Sequence, residues 1–135
     1  MSMRIRTEQA ARLAQTQFIQ KLDGALSRRL PDFASLPMHD RLPLVVQCLE
    51  DAERRGLRSE QGLASYALAA WFLGVGFETR SARLLVLLTR SLPEVRRVYA
   101  MNEWVRLMIG APDEVAAADA VLMPALQRTA AWGAA

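Results

Sequence analysis

Apolar residues recur along this chain at helical rather than strand spacing. Ala11, Ala14, Phe18, Leu22, Ala25 and Leu26 follow three- and four-residue steps. That period predicts a first helix from about Thr7 to Leu30 with one apolar face. Thr7 is its expected cap, and Glu8 suits the positive end of the helix dipole. Arg28 and Arg29 suit the opposite end, and Pro31 closes the helix. The stretch from Pro31 to Pro37 reads as a loop with Phe33 and Leu36 folded back onto the core. Asp40 is the expected cap of a second helix, with Pro43 tolerated in its first turn. Leu44, Val45, Cys48, Leu49 and Ala52 form its inner face.

Between Glu53 and Phe77 the pattern is denser. Arg54 and Arg55 close the second helix, and Gly56 stands where a left-handed residue is wanted. Ser59 caps a third helix, with Glu60 and Gln61 in its first turn. From Leu63 to Leu73 that helix is apolar nearly all round, so it is either central or half-covered by a partner. Gly74 and Gly76 stop it. Ser81 to Arg90 reads as a short fourth helix; its LLVLL core would suit a buried strand, but helical neighbours decide for helix. Pro93 sits near the start of a fifth, which carries Val95, Val98, Tyr99, Met101, Trp104, Val105, Met108 and Ile109 and ends at Gly110. Pro112, Asp113 and Glu114 open an alanine-rich sixth, which Pro124 kinks or ends. The expectation is an all-α fold: a compact bundle of five to six helices, one domain over residues 1–135, with 1–6 and 128–135 flexible. Trp132 in the tail is either docked or exposed.

Composition narrows the function classes. A chain of 135 residues can bury a core without staples, and 52% hydrophobic against 23% charged residues is a globular balance. No apolar run reaches the roughly 18 residues needed to span a membrane. The N-terminus lacks the apolar stretch of a secretory signal, which makes the cytoplasm the expected location. Cys48 is the sole cysteine, so no intramolecular disulfide is expected, and its apolar helical setting is that of a buried small hydrophobe. The net charge of +3 is carried almost entirely by arginine, Lys21 being the one lysine. That balance is too small to argue for nucleic acid.

Catalytic constellations are missing. One cysteine and one histidine, His39, cannot supply a zinc site without carboxylates. No base–nucleophile pair is oriented, and Gly74-Val75-Gly76 lacks the strand and third glycine of a dinucleotide loop. Glu50, Asp51 and Glu53 are followed by Arg54 and Arg55, which reads as a solvated, charge-balanced helix end. The chain is therefore expected to be no enzyme, with no catalytic residue, cofactor or metal. The second helix, its turn and the third helix could imitate a helix-turn-helix. However, no arginine or lysine lies between Ser59 and Phe77, and a recognition helix needs such residues to read base edges. An interaction role fits better. Tyr66, Trp71, Phe77, Tyr99, Met101, Trp104 and Met108 are the candidate partner-binding residues, each of which could equally be core. A homodimer through the third or fifth helix is an alternative.

The segment from Cys48 to Tyr66 resembles the central signature of small helical bacterial proteins encoded beside type VI secretion effectors, near PAAR-type or VgrG spike components. The matching positions are Gly56, Leu57, Ser59, Glu60, Leu63, Tyr66, Gly76, Phe77 and Glu78. An Arg6-Thr7-Glu8-Gln9 opening and the Phe18–Leu22 helix extend the likeness over about residues 5–78. Arg55 replaces an aromatic of that pattern, and Thr79-Arg80-Ser81-Ala82 stands where it has a proline–tryptophan segment. The resemblance implies an accessory role as effector chaperone, co-chaperone or loading adaptor, its partner being the effector, the effector's chaperone or a spike component. An immunity-type partner is the alternative within it.

Overall fold

The computed structural model describes the backbone of residues 2–132 and the side chains of residues 15–132. Their regular secondary structure is all helical, with no strand among them. They form two compact units, residues 1–47 and 48–135.

In the first unit, α1 spans Ser2–Arg29. It starts ahead of the expected Thr7; the cap foreseen at Thr7 and the charge at Glu8 fall outside the described side chains, and Met1 and 133–135, among the termini expected to be flexible, lie outside the described residues. Leu22 and Leu26 are buried as the period requires. The expected loop contains a short helix, α2, Pro31–Ala34. Pro31 occupies its first position, where a missing N–H costs nothing. Phe33 is buried, and Leu36 is half-buried. Arg41 fastens this corner. Its Nε and Nη2 reach the two Asp23 carboxylate oxygens at 3.0 and 3.2 Å, and its Nη1 donates to Leu36 O at 2.8 Å. Its guanidinium also lies 5.9 Å from the Phe33 ring centre. The next helix, α3, Met38–Arg54, starts two residues before the expected Asp40. The Pro37 carbonyl already accepts from the Asp40 and Arg41 amides, and Pro43 is accommodated inside the helix. The last turns of α3 belong to the second unit.

The second unit opens on a Schellman turn. Gly56 adopts φ 85°, its amide donates to Glu53 O, and the Leu57 amide donates to Ala52 O. Together these satisfy the last carbonyls of α3. Leu57 is fully buried beside them. Ser59 caps α4, Glu60–Leu73, accepting from the Gly62 amide. After Gly74 a 3-10 turn, Phe77–Arg80, leads to α5, Ala82–Thr89, capped by Ser81. Next comes α6, Glu94–Gly110. It is the hub of this unit, packing on α4, α5, α7 and α8, and it buries Val98, Met101, Trp104, Val105 and Met108. The foreseen sixth helix is two: α7, Val115–Asp119, and α8, Leu122–Arg128. Pro124 explains the break. It has no N–H to offer the Ala120 carbonyl and its ring crowds that carbonyl, so the chain turns at Ala120–Val121, four residues upstream of the proline. The split, together with α2, raises the helix count above the five or six expected.

The apolar α4 is covered over most of its length by its own chain and opens to solvent near its end. Leu63, Tyr66, Ala67, Ala69 and Ala70 are buried, while Phe72 is 51% exposed.

Candidate interaction surface

Two side chains from α6 fix its place, one at the start of α4 and one at the turns around it. Glu94 accepts from the Arg58 amide at 2.8 Å and the Ser59 amide at 3.0 Å, and the Ser59 hydroxyl also donates to it. A carboxylate thus sits where the positive end of α4 wants one. Burial pushes the Glu94 pKa up, but hydrogen bonds from the Ser59 hydroxyl and from the Arg58 and Ser59 amides outweigh it, so the net shift is downward. Gly62 leaves the room this needs, because a Cβ there would collide with the Glu94 carboxylate. Arg97 does the second part. Its guanidinium donates to Leu88 O at 2.7 Å, Leu92 O at 2.9 Å and Gly56 O at 3.3 Å, holding three chain reversals with one side chain.

Held this way, α4 and α6 leave a groove between them. Gln61, Ser65, Leu68 and Phe72 recur at three- and four-residue steps on α4; Val95, Tyr99, Asn102, Arg106 and Ile109 do so on α6. One end is a cleft of about 420 Å³ walled by Val95, Tyr99 and Trp132. The other is a cleft of about 300 Å³ walled by Leu68, Phe72 and Ile109. Asn102 lines both, so the two are successive parts of one track. Val95 and Ile109 are 52% and 46% exposed, which makes the track apolar and open. Trp132 meets the Tyr99 ring edge-on at 5.1 Å, and the Arg128 guanidinium lies 5.9 Å from the centre of the same ring. Trp132 is therefore docked by one edge while remaining 42% exposed.

Most of the residues expected to bind a partner are not on this surface. Tyr66, Phe77, Met101, Trp104 and Met108 are buried, which corrects that expectation. Phe77 packs between Tyr66 at 5.0 Å and Trp104 at 6.3 Å, and the Trp104 indole donates to Asp119 Oδ1 at 2.8 Å. Such side chains hold the unit together and have no face left for another protein. Trp71 and Tyr99 are half-buried, and of the seven only Tyr99 lines the groove. Phe72, Val95 and Ile109, the residues that do open to solvent, were legible only as apolar helix positions. For Val95 and Ile109 the signal is an apolar arc on α6 wider than its core face needs, and for Phe72 it is the all-round apolar character of α4.

Beneath α4 lies a buried polar cluster. Glu78 Oε2 accepts from the Tyr66 hydroxyl at 2.6 Å and from Arg55 Nε at 2.8 Å. Glu78 is 1% exposed, and its Oε1 has no hydrogen-bond partner. The neighbouring Cys48 thiol is pushed up to about 11 by burial and then by the Asp51 and Glu78 carboxylates, the reverse of an activated nucleophile. Asp51 departs from the expected solvated helix end: it is buried, with Arg54 Nη2 at 3.1 Å. Of the basic residues of the imagined DNA-reading turn, Arg55 is thus held by the buried Glu78, while Arg54 pairs with Asp51 from the surface and Arg58 is exposed. Glu94 also puts a negative charge at the α4 N-terminus, where a phosphate would dock.

Among the described residues no group of three or more His, Cys, Asp or Glu is placed to hold a metal, and no helix is long and apolar enough to cross a membrane. No family model, curated protein or solved structure matches the chain.

Proposed function

We propose that this protein is a non-enzymatic accessory factor that binds another protein through the α4–α6 groove. The observation that carries the reading is the continuity of that groove. Two clefts joined at Asn102 present Phe72, Val95, Ile109 and Trp132 to solvent. A track between two antiparallel or crossing helices, apolar at three- and four-residue steps, is the shape into which an amphipathic helix lays its own apolar face. The signature around Gly56–Tyr66 supports the finer reading. By that resemblance the protein is a chaperone, co-chaperone or loading adaptor for a type VI secretion effector, and acts in the cytoplasm on the effector, its chaperone or a spike component.

Co-purification with the products of the flanking genes tests this. Phe72→Glu and Ile109→Glu change exposed side chains, so the fold is expected to survive while the complex is lost. A complex that tolerates both substitutions would sink the groove as the site. Light scattering on the isolated protein separates a second copy of the chain from a foreign partner on the same face.

A further inference from the structure

A second groove lies between α5 and α8, and it differs in charge from the first. Its volume is about 350 Å³, and its lining includes Arg83, Val86, Leu87 and Arg90 on one side and Asp119, Leu122 and Met123 on the other. The first four stand at i, i+3, i+4 and i+7, which places them on one helix face over about 10.5 Å of axis. Leu87 and Leu122 are buried and form an apolar floor, while Val86 and Met123 are 60% and 54% exposed. The arginines at either end are exposed, and Arg80 stands three residues before Arg83.

These arginines stand apart from most of the others. Arg41, Arg54, Arg55 and Arg106 each have a carboxylate within 4.0 Å, and Arg96, Arg97 and Arg128 donate to internal oxygens. Among the described residues Arg80, Arg83 and Arg90 form no ion pair. The one carboxylate in the lining is already committed, since Asp119 Oδ1 accepts from both Ser81 Oγ and Trp104 Nε1.

We infer that the α5–α8 groove docks an acidic amphipathic helix of a protein partner. Its apolar residues enter between Val86 and Met123, and two carboxylates about two turns apart meet Arg83 and Arg90. Arginine suits this because its planar fork matches a carboxylate two-to-two, and Met123 can reshape to the entering side chain. A lipid surface fits less well, because the apolar residues line a cleft instead of forming a crest. Nucleic acid fits less well too: the lining holds no ring on which a base could stack. The inference does not depend on the α4–α6 reading.

A displayed library of helical peptides, selected on the whole protein, tests it. Selected sequences are expected to carry Asp or Glu seven residues apart, with Leu, Ile, Met or Phe between. Their amide shifts should map to residues 82–90 and 119–123. The double variant Arg83→Glu, Arg90→Glu should weaken binding by about tenfold or more, and a peptide with Lys in place of its acids should bind that variant better than the natural chain. Phe72→Glu should leave this binding unchanged, which separates failure here from failure of the first groove. The inference is overturned by any of three outcomes: selected peptides with no acidic excess, peptides that bind the double variant equally well, or tighter Arg83- and Arg90-dependent binding to phosphatidylserine vesicles or a DNA duplex.

Discussion

The Tyr66 hydroxyl donates at 2.6 Å to Glu78 Oε2, the same oxygen that Arg55 Nε reaches at 2.8 Å. One carboxylate oxygen therefore ties the start of the 3-10 turn to both α4 and the end of α3. Removing either donor leaves the buried charge less compensated. Arg55→Met is expected to be the costlier, at about 3 kcal/mol, because it strips the countercharge; Tyr66→Phe should cost about 1–2 kcal/mol. Combining Arg55→Met, Glu78→Leu and Tyr66→Phe should recover much of the loss, since a buried polar cluster removed whole is cheaper than one left with an unpaired member. Denaturant unfolding of the variants checks the order, and a triple variant less stable than Arg55→Met alone would refute the account.

Glu94 and Gly62 make a coupled pair. In the natural chain Gly62→Ala should destabilise by about 1 kcal/mol, although alanine is the better helix former, because the new methyl displaces the carboxylate from the α4 amides. In a Glu94→Ala background the same change should stabilise by about 0.5–1 kcal/mol. The sign reversal, read by thermal unfolding, is the test.

The same carboxylate predicts a pH dependence. The Glu94 pKa is lowered in the folded chain from an ordinary 4.5, so the unfolded state takes up the proton first as pH falls. Its stabilisation is fully present above that value and fades below it, toward the lowered folded value. The stability gap between the natural chain and Glu94→Gln should be flat from neutrality to about pH 5 and close in more acid solution. A gap that persists unchanged down to pH 2 would show that the charge contributes nothing.

Local rules made the second unit's skeleton readable in advance. Gly56, Ser59, Gly74 and Ser81 each end or start a helix where capping chemistry says they should. Pro124 was seen to interrupt a helix, but a proline acts on the carbonyl four residues before it, and the break falls there. What the sequence hid was partner choice over long separations. Arg55 looked like a solvated helix end, yet its partner Glu78 lies 23 residues on. The aromatic residues were visible as a set, but their placement was not: Trp104 and Phe72 are both large and apolar, and only the packing of α4 on α6 buries one and exposes the other.

Cys48 should be inert in the native protein. Its thiol is held protonated to about pH 11 by burial and two carboxylates, against an ordinary value of 9.0. Labelling with a thiol reagent at pH 8 should therefore proceed at the rate of unfolding. Between about pH 9 and 11 the unfolded chain loses this proton while the folded chain keeps it, so stability should decline as pH rises through that window. Cys48→Ala should lessen the decline; rapid stoichiometric labelling of the native chain would contradict the assignment.

Asp119 offers the sharpest test of how α5, α6 and α7 are joined. Its Oδ1 accepts from Ser81 Oγ at 2.6 Å and Trp104 Nε1 at 2.8 Å, while Ser81 Oγ in turn caps α5 by accepting from the Leu84 amide. Asp119→Ala leaves the indole N–H of a fully buried tryptophan without an acceptor and loosens the cap, for an expected loss of about 2–4 kcal/mol. Asp119→Asn retains an acceptor oxygen at the same place and should cost about 1 kcal/mol. The Trp104 indole proton resonance should shift strongly in the alanine variant and little in the asparagine one. Equal losses in the two variants would mean that the aspartate acts through its charge, and that the shared hydrogen bond is incidental.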